Sequence, residues 1–168
     1  MPTTSYAIAL GSNRRHGRHG GPPQVLRAAV EALARLGKVE KLSTIRSTAA
    51  LGPAGRGFAN AVALLSTQLA PETLLLELKA IERGFGRRRG RRWGPRVLDL
   101  DIILWSGGFW GGPGPIIPHR EMPRRRFVLE PLAEIAPDWR DPLTGATIRQ
   151  LLFRLLKAAP VDPDPACS

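Results

Sequence analysis

Two aspartates two residues apart, Asp99 and Asp101, interrupt the apolar run Val97-Leu98-Asp99-Leu100-Asp101-Ile102-Ile103. Read as a strand, this spacing sends both carboxylates out of one face, roughly 6.5 to 7 Å apart, and turns Leu98, Leu100 and Ile102 to the other. Carboxylates on such a strand are costly to desolvate unless positive charge sits between them, and oxygen donors of this kind suit Mg²⁺. The spacing equally suits a solvent-facing pair or partners for arginines, and it does not choose among these. Immediately before the strand stands Arg91-Arg92-Trp93-Gly94-Pro95-Arg96. Guanidinium forks bind phosphate oxygens two at a time, so arginines adjoining paired aspartates make a site for a metal-chelated polyphosphate. The chain has no G-x-x-x-x-G-K-[ST] loop, so such a nucleotide site is of another design.

The charge balance points the same way. A formal charge of +11 attracts polyanions: nucleic acid, an anionic membrane or a nucleoside triphosphate. The scattered arginines read as a solvated surface. The two runs, Arg87 to Arg92 and Arg124 to Arg126, require a better account. A chain of 168 residues, 43% hydrophobic, suffices for one core, which predicts a single domain over 1–159 and a disordered proline-rich tail over 160–168. No apolar stretch approaches the roughly 20 residues of a membrane span, and the N-terminus does not read as a signal peptide, so a soluble cytoplasmic protein is expected. The single cysteine, Cys167, offers no internal disulfide and no thiol metal cluster.

Periodicity supplies the elements that must position these residues. Residues 5–10 form an apolar strand ending in the turn formers Gly11-Ser12-Asn13. Val25, Leu26, Ala29, Val30, Leu33 and Leu36 recur at helical spacing between Pro22 and Gly37. Strands are predicted over 39–47, 59–65 and 97–105. A second helix starts at Pro71, with Leu74, Leu75, Leu78 and Ile81 on its buried side, and stops near Gly84 or Gly86. Residues 107–114 read as a loop, and 127–135, despite Pro131, and 148–156 as further helices. The order strand, helix, strand, strand, helix, strand gives an α+β class with a ferredoxin-like βαββαβ core, a mainly antiparallel sheet with helices on it. RNA-binding modules share this layout. They would require exposed aromatics on the central strands, which the sequence lacks, and Asp99 and Asp101 would put negative charge where phosphates must land.

The run from Arg92 through Trp93-Gly94-Pro95-Arg96 to Asp99, Asp101 and Ile103 resembles the signature of the 6-hydroxymethyl-7,8-dihydropterin pyrophosphokinase family. So do Ala9-Leu10-Gly11-Ser12-Asn13, Phe58-Ala59-Asn60-Ala61-Val62, Pro118-His119 and Phe127-Val128-Leu129-Glu130-Pro131-Leu132. These pieces stand in the family's order over about residues 5–155. The resemblance implies transfer of the diphosphate of ATP to the hydroxyl of the pterin, with release of AMP, in folate biosynthesis. It implies that Asp99 and Asp101 hold two Mg²⁺ ions and that Arg87 and Arg96 stabilise phosphate. Gly11, Asn13, Thr48, Leu51, Phe58, Asn60, Trp93 and Phe127 would serve the pterin. Asn60 hydrogen-bonds the heterocycle in this reading, and Phe58 and Phe127 stack on its faces.

Lys79, Glu82, Arg89, Arg92, Ile102, His119 and Arg125 would serve the nucleotide. Phe58 stands where many members carry tyrosine, and Lys79 where glutamine is common. The implied partners are the two small substrates, with no nucleic acid and no membrane, and the working unit is a monomer. The glycine- and arginine-rich segment 84–93 is expected to close over bound MgATP and pterin, because its like charges repel one another without an anion.

Overall fold

The computed structural model describes residues 2–13, 16–48, 57–86 and 97–158. Strand β1 (Thr4–Ser12) leads to helix α1 (Pro22–Leu33), strands β2 (Lys38–Leu42), β3 (Arg46–Thr48) and β4 (Phe58–Thr67), and helix α2 (Pro71–Gly84). Strand β5 (Asp99–Trp105), a single 3₁₀ turn (Met122–Arg124), and helices α3 (Arg126–Ile135) and α4 (Ile148–Ala158) complete the order. The sheet runs β2-β4-β1-β5, with β3 also paired to β4, and every pairing is antiparallel. This is the expected ferredoxin-like arrangement, with its second strand divided in two.

The division has a local cause. Ser43, buried between β2 and β3, donates its backbone N–H to the Val62 carbonyl at 2.9 Å, and its Oγ accepts the Val62 N–H at 2.9 Å. A side chain thus stands in for one rung of the ladder, and the strand predicted over 39–47 becomes two. Gly37 turns the chain from α1 into β2 at a close approach. A Cβ there would lie 2.1 Å from the Ser66 carbonyl oxygen, so no larger residue fits.

Alternation along the strands builds a core on each side of the sheet. Tyr6, Ile8 and Leu10 of β1, Ala61, Ala63 and Leu65 of β4, and Leu100 and Ile102 of β5 bury against Leu26 and Leu33 of α1 and Leu74 and Leu78 of α2. Both helices begin on proline, whose missing N–H costs nothing in the first turn. On the other side Ala7, Val62, Leu64 and Ile103 meet Val128, Leu129 and Leu132 of α3 and Ile148 and Leu151 of α4. The sheet is therefore covered on both faces, a layer that the linear order of elements does not specify.

The predicted buried stripe of α2 is corrected at its end. Leu75 and Ile81 are half-buried, and Glu82, at 1% exposure, takes the inward position. Its carboxylate is accommodated by the Lys79 ammonium, with Nζ donating to Oε1 at 2.8 Å. Residues 107–114 do form a loop, anchored where Trp110 and Ile117 exchange backbone hydrogen bonds of 2.9 Å. The tail 160–168 lies outside the described residues.

Candidate active site

Asp99 and Asp101 share the sheet face of Ile103, the face covered by α3, while Leu98, Leu100 and Ile102 turn to the α1 and α2 side. Both aspartates are partly exposed. In the register of the sheet, Asp101 stands opposite Ala9 and Asp99 opposite Gly11. Gly11 in turn stands opposite Asn60, and Asn60 opposite Arg46. One transverse row, Asp99-Gly11-Asn60-Arg46, thus crosses four strands. At one strand spacing per step, Asp99 and Asn60 sit roughly 10 Å apart.

The small residues of β1 leave this row open. A Cβ on Gly11 would come within 3.3 Å of Asn60 Oδ1, so the amide leans over the glycine and occupies the space a side chain would fill. One residue past the end of β1, the Oδ1 of Asn13 is buried without a hydrogen-bond partner among the described residues. A buried acceptor left unpaired costs about 1 to 3 kcal/mol.

Phe58, opposite Thr48 in register, has the strand parity of Asn60 and emerges on the same face. Phe127 approaches from the first turn of α3, half-buried against the core that contains Val62. Pro131 carries no N–H, so it leaves the Phe127 carbonyl without its helical donor. The Arg125 guanidinium lies 5.6 Å from the centre of the Phe127 ring, a cation–π contact that holds two predicted site residues together. His119 runs along the outer edge of β5, its N–H donating to the Ile103 carbonyl at 2.9 Å. Its Nδ1 accepts the Glu121 N–H at 3.2 Å, which assigns the proton of a neutral ring to Nε2.

Lys79 and Glu82 belong to α2 on the opposite layer, paired with each other. Ile102, at 4% exposure, is part of the core on that side, and its side chain does not share the face of the aspartates. A groove of about 740 Å³ between α1 and α2, lined by Arg18, His19, Glu31, Arg35 and Glu77 among others, is likewise remote from the carboxylate row. Leu51, Arg87, Arg89, Arg92, Trp93 and Arg96 lie outside the described residues, as do residues 87–93 of the expected closing segment, and of Thr48 only the backbone is described.

The donor set fits a hard divalent cation. Asp99 and Asp101 offer oxygen ligands only, beside the open backbone of Gly11. Among the described residues no third His, Cys, Asp or Glu completes an all-protein cage. Mg²⁺ favours such an arrangement, because it retains water and substrate phosphate in its coordination shell.

Five further residues, none of them among the expected site residues, gather at the β2–β3 corner. Arg46 Nη1 meets Glu130 Oε2 at 2.6 Å, the other oxygen of Glu130 accepts from Arg126 Nε, and Glu134 Oε1 accepts from Thr44 N at 3.0 Å and Thr44 Oγ1 at 2.7 Å. The Thr44 hydroxyl, then its N–H, hold the Glu134 carboxyl below the usual range against an opposing contribution from burial, and the Arg46 charge adds a lesser lowering. Only the i, i+4 spacings of 126, 130 and 134 hinted at this cluster in sequence.

Among proteins of known function, the chain is 44% identical over 148 residues to the 2-amino-4-hydroxy-6-hydroxymethyldihydropteridine pyrophosphokinase of Pseudomonas aeruginosa, covering 86% of this chain and 88% of the relative. The Synechocystis enzyme of the same name is 44% identical over 129 residues, covering 76% of this chain and 66% of the relative. The Haemophilus influenzae enzyme is 42% identical over 138 residues, covering 80% and 82%. The chain superimposes on wild-type Plasmodium falciparum HPPK-DHPS with a TM-score of 0.68 at 12% identity, covering 93% of this chain and 45% of that one. At that identity the likeness shows the fold. The family model described as 7,8-dihydro-6-hydroxymethylpterin-pyrophosphokinase matches residues 7–137. The chain belongs to that family, the ATP-dependent pyrophosphokinases that act on hydroxymethyldihydropterin in folate biosynthesis.

Proposed function

We propose that this chain carries the whole reaction itself: it moves the diphosphate of ATP to the hydroxyl of 6-hydroxymethyl-7,8-dihydropterin and releases AMP. The observation that carries this reading is the shared sheet face that holds two partly exposed carboxylates, Asp99 and Asp101, and one amide, Asn60, with Phe127 of α3 packed against the core on that same face. A bicyclic heterocycle fits the roughly 10 Å between Asn60 and Asp99.

In this reading Asn60 and the buried Asn13 Oδ1 orient the pterin edge, and Phe58 and Phe127 exclude water from its faces. The hydroxymethyl group is thereby directed toward the aspartates. Asp99 and Asp101 hold the Mg²⁺ ions, two by the family resemblance, which when bound neutralise the charge of the phosphates. His119, with Nε2–H left as its donor, and Arg125 hold the nucleotide at the edge of β5. The bond from the pterin oxygen to the β-phosphorus forms as the bond to the oxygen shared with the α-phosphorus breaks; AMP leaves with that oxygen and the hydroxyl proton passes to water. Positioning and charge compensation suffice, and no residue forms a covalent intermediate. Arg87 and Arg96 supply further positive charge. We assign the working unit to residues 1–159, as a cytoplasmic monomer.

Isothermal titration of Asn60→Ala tests the assignment. Pterin binding should weaken by about 1 to 3 kcal/mol, as a buried polar edge loses its partner, with the affinity for a non-hydrolysable MgATP analogue unchanged. Equal losses for both ligands would make Asn60 a structural residue.

A further inference from the structure

The cluster at the β2–β3 corner has a geometry that stability alone does not explain. Strand β3 is three residues long, and its ladder is made with β4. Its first residue stands opposite Asn60 and its last opposite Phe58. Helix α3 carries Phe127 in its first turn and Glu130 three residues later, with Glu134 one turn further on. Arg46 reaches from β3 to both carboxylates, to Glu130 at 2.6 Å and to Glu134 at 3.8 Å, while Thr44 donates twice to Glu134. Arg126 takes the remaining oxygen of Glu130. The strand segment flanking Asn60 and Phe58 is thus fastened at several points to two successive turns of the helix that presents Phe127.

The Arg46 side chain is 45% exposed, and ion pairs so open to water contribute little to stability. They can still fix direction, because both oxygens of Glu130 and both of Glu134 are engaged at once. We propose that Glu130 and Arg46 are positioning residues for pterin recognition: their contact sets the gap between Phe127 on α3 and the Asn60 and Phe58 edge of β4. The inference rests on the pterin assignment above and adds what maintains its width. It concerns pterin alone, because the brace stands at the β3 end of the row and the carboxylates stand at the β5 end.

Steady-state kinetics on the full chain separate the outcomes. Glu130→Ala and Arg46→Met should each raise the KM for hydroxymethyldihydropterin about fivefold, with kcat and the KM for ATP within about twofold of the parent. The double variant should cost less than the sum of the two single ones, since both break the shared Arg46–Glu130 contact. Glu130→Gln keeps the shape and one acceptor, so it should fold even where alanine does not and should raise the pterin KM to an intermediate value. A pterin KM unchanged in Glu130→Gln and Arg46→Met, with only the melting temperature lowered, would overturn the proposal. Equal rises for pterin and ATP would do so as well. Asn60→Ala measured in parallel keeps the two readings apart: if its pterin KM does not move, the pterin assignment itself fails, whatever the brace variants do.

Discussion

Replacing Gly11 by alanine tests the row at its most sensitive point. The added Cβ would lie 3.3 Å from Asn60 Oδ1, a few tenths of an ångström inside ordinary contact, while among the described residues no other heavy atom beyond its chain neighbours lies within 4 Å of it. The Asn60 amide must therefore yield, by a few tenths of an ångström or a small turn of its side chain. A hydrogen bond held off its best geometry loses a large part of its net worth of about 1 kcal/mol. That loss corresponds to a roughly fivefold rise in the pterin KM. Stability should move the other way, because a glycine inside a strand is the less favourable residue by about 0.5 to 1 kcal/mol. The expected result is a weakened pterin KM together with a melting temperature that is unchanged or slightly higher, with the ATP KM near that of the parent. An unchanged pterin KM would show that the position of the Asn60 amide has no bearing on recognition. A fall in melting temperature with parallel losses for both substrates would make Gly11 a purely structural glycine.

Asp99→Asn and Asp101→Asn should each lower kcat by at least about 10²-fold while circular dichroism stays unchanged, since each removes a charged ligand from the phosphate site; near-normal turnover in Mg²⁺ by either would refute the metal role. Because the Glu134 carboxyl is held low by Thr44 and Arg46, its contribution to stability is full above about pH 4.3, the unfolded value, and is lost as pH falls through the folded one. The melting-temperature gap between parent and Glu134→Gln should accordingly close on acidification, and a gap that persists at the lowest pH would exclude the charge as its source. Burial raises the Tyr6 phenol above its usual value, against an opposing hydrogen bond from Thr4. Stability should therefore fall as pH rises past about 10, where the unfolded chain ionises first. In Tyr6→Phe, which lacks the bond from Oη to the Leu69 carbonyl, the melting temperature should start lower and converge on the parent above that pH.

What could be read without coordinates follows local periodicity. The two-residue repeat of β5 places Asp99 and Asp101 on one face and Leu100 and Ile102 on the other, and the sheet preserves that division. Pro71 and the leucines after it set α2 to within a residue or two. Long-range relations were not legible. Ser43 divides a strand by replacing a backbone rung with a side-chain bond to a residue 19 positions away. The brace joins Arg46 and Thr44 to carboxylates 84 and 90 positions later, each residue by itself an ordinary surface charge or hydroxyl. The inward turn of Glu82 escaped the pattern because an apolar stripe predicts burial only for apolar residues. Ile102, expected with the nucleotide by family likeness, has its side chain in the core, on the face that strand parity gives it.

The central claim, diphosphate transfer by this chain alone, is tested most directly by incubating the purified protein with MgATP labelled at the γ-phosphorus and hydroxymethyldihydropterin, then separating the products. The account predicts AMP as the nucleotide product and the label in a pterin diphosphate. ADP with a singly phosphorylated pterin would contradict it, as would free labelled phosphate with the pterin unchanged.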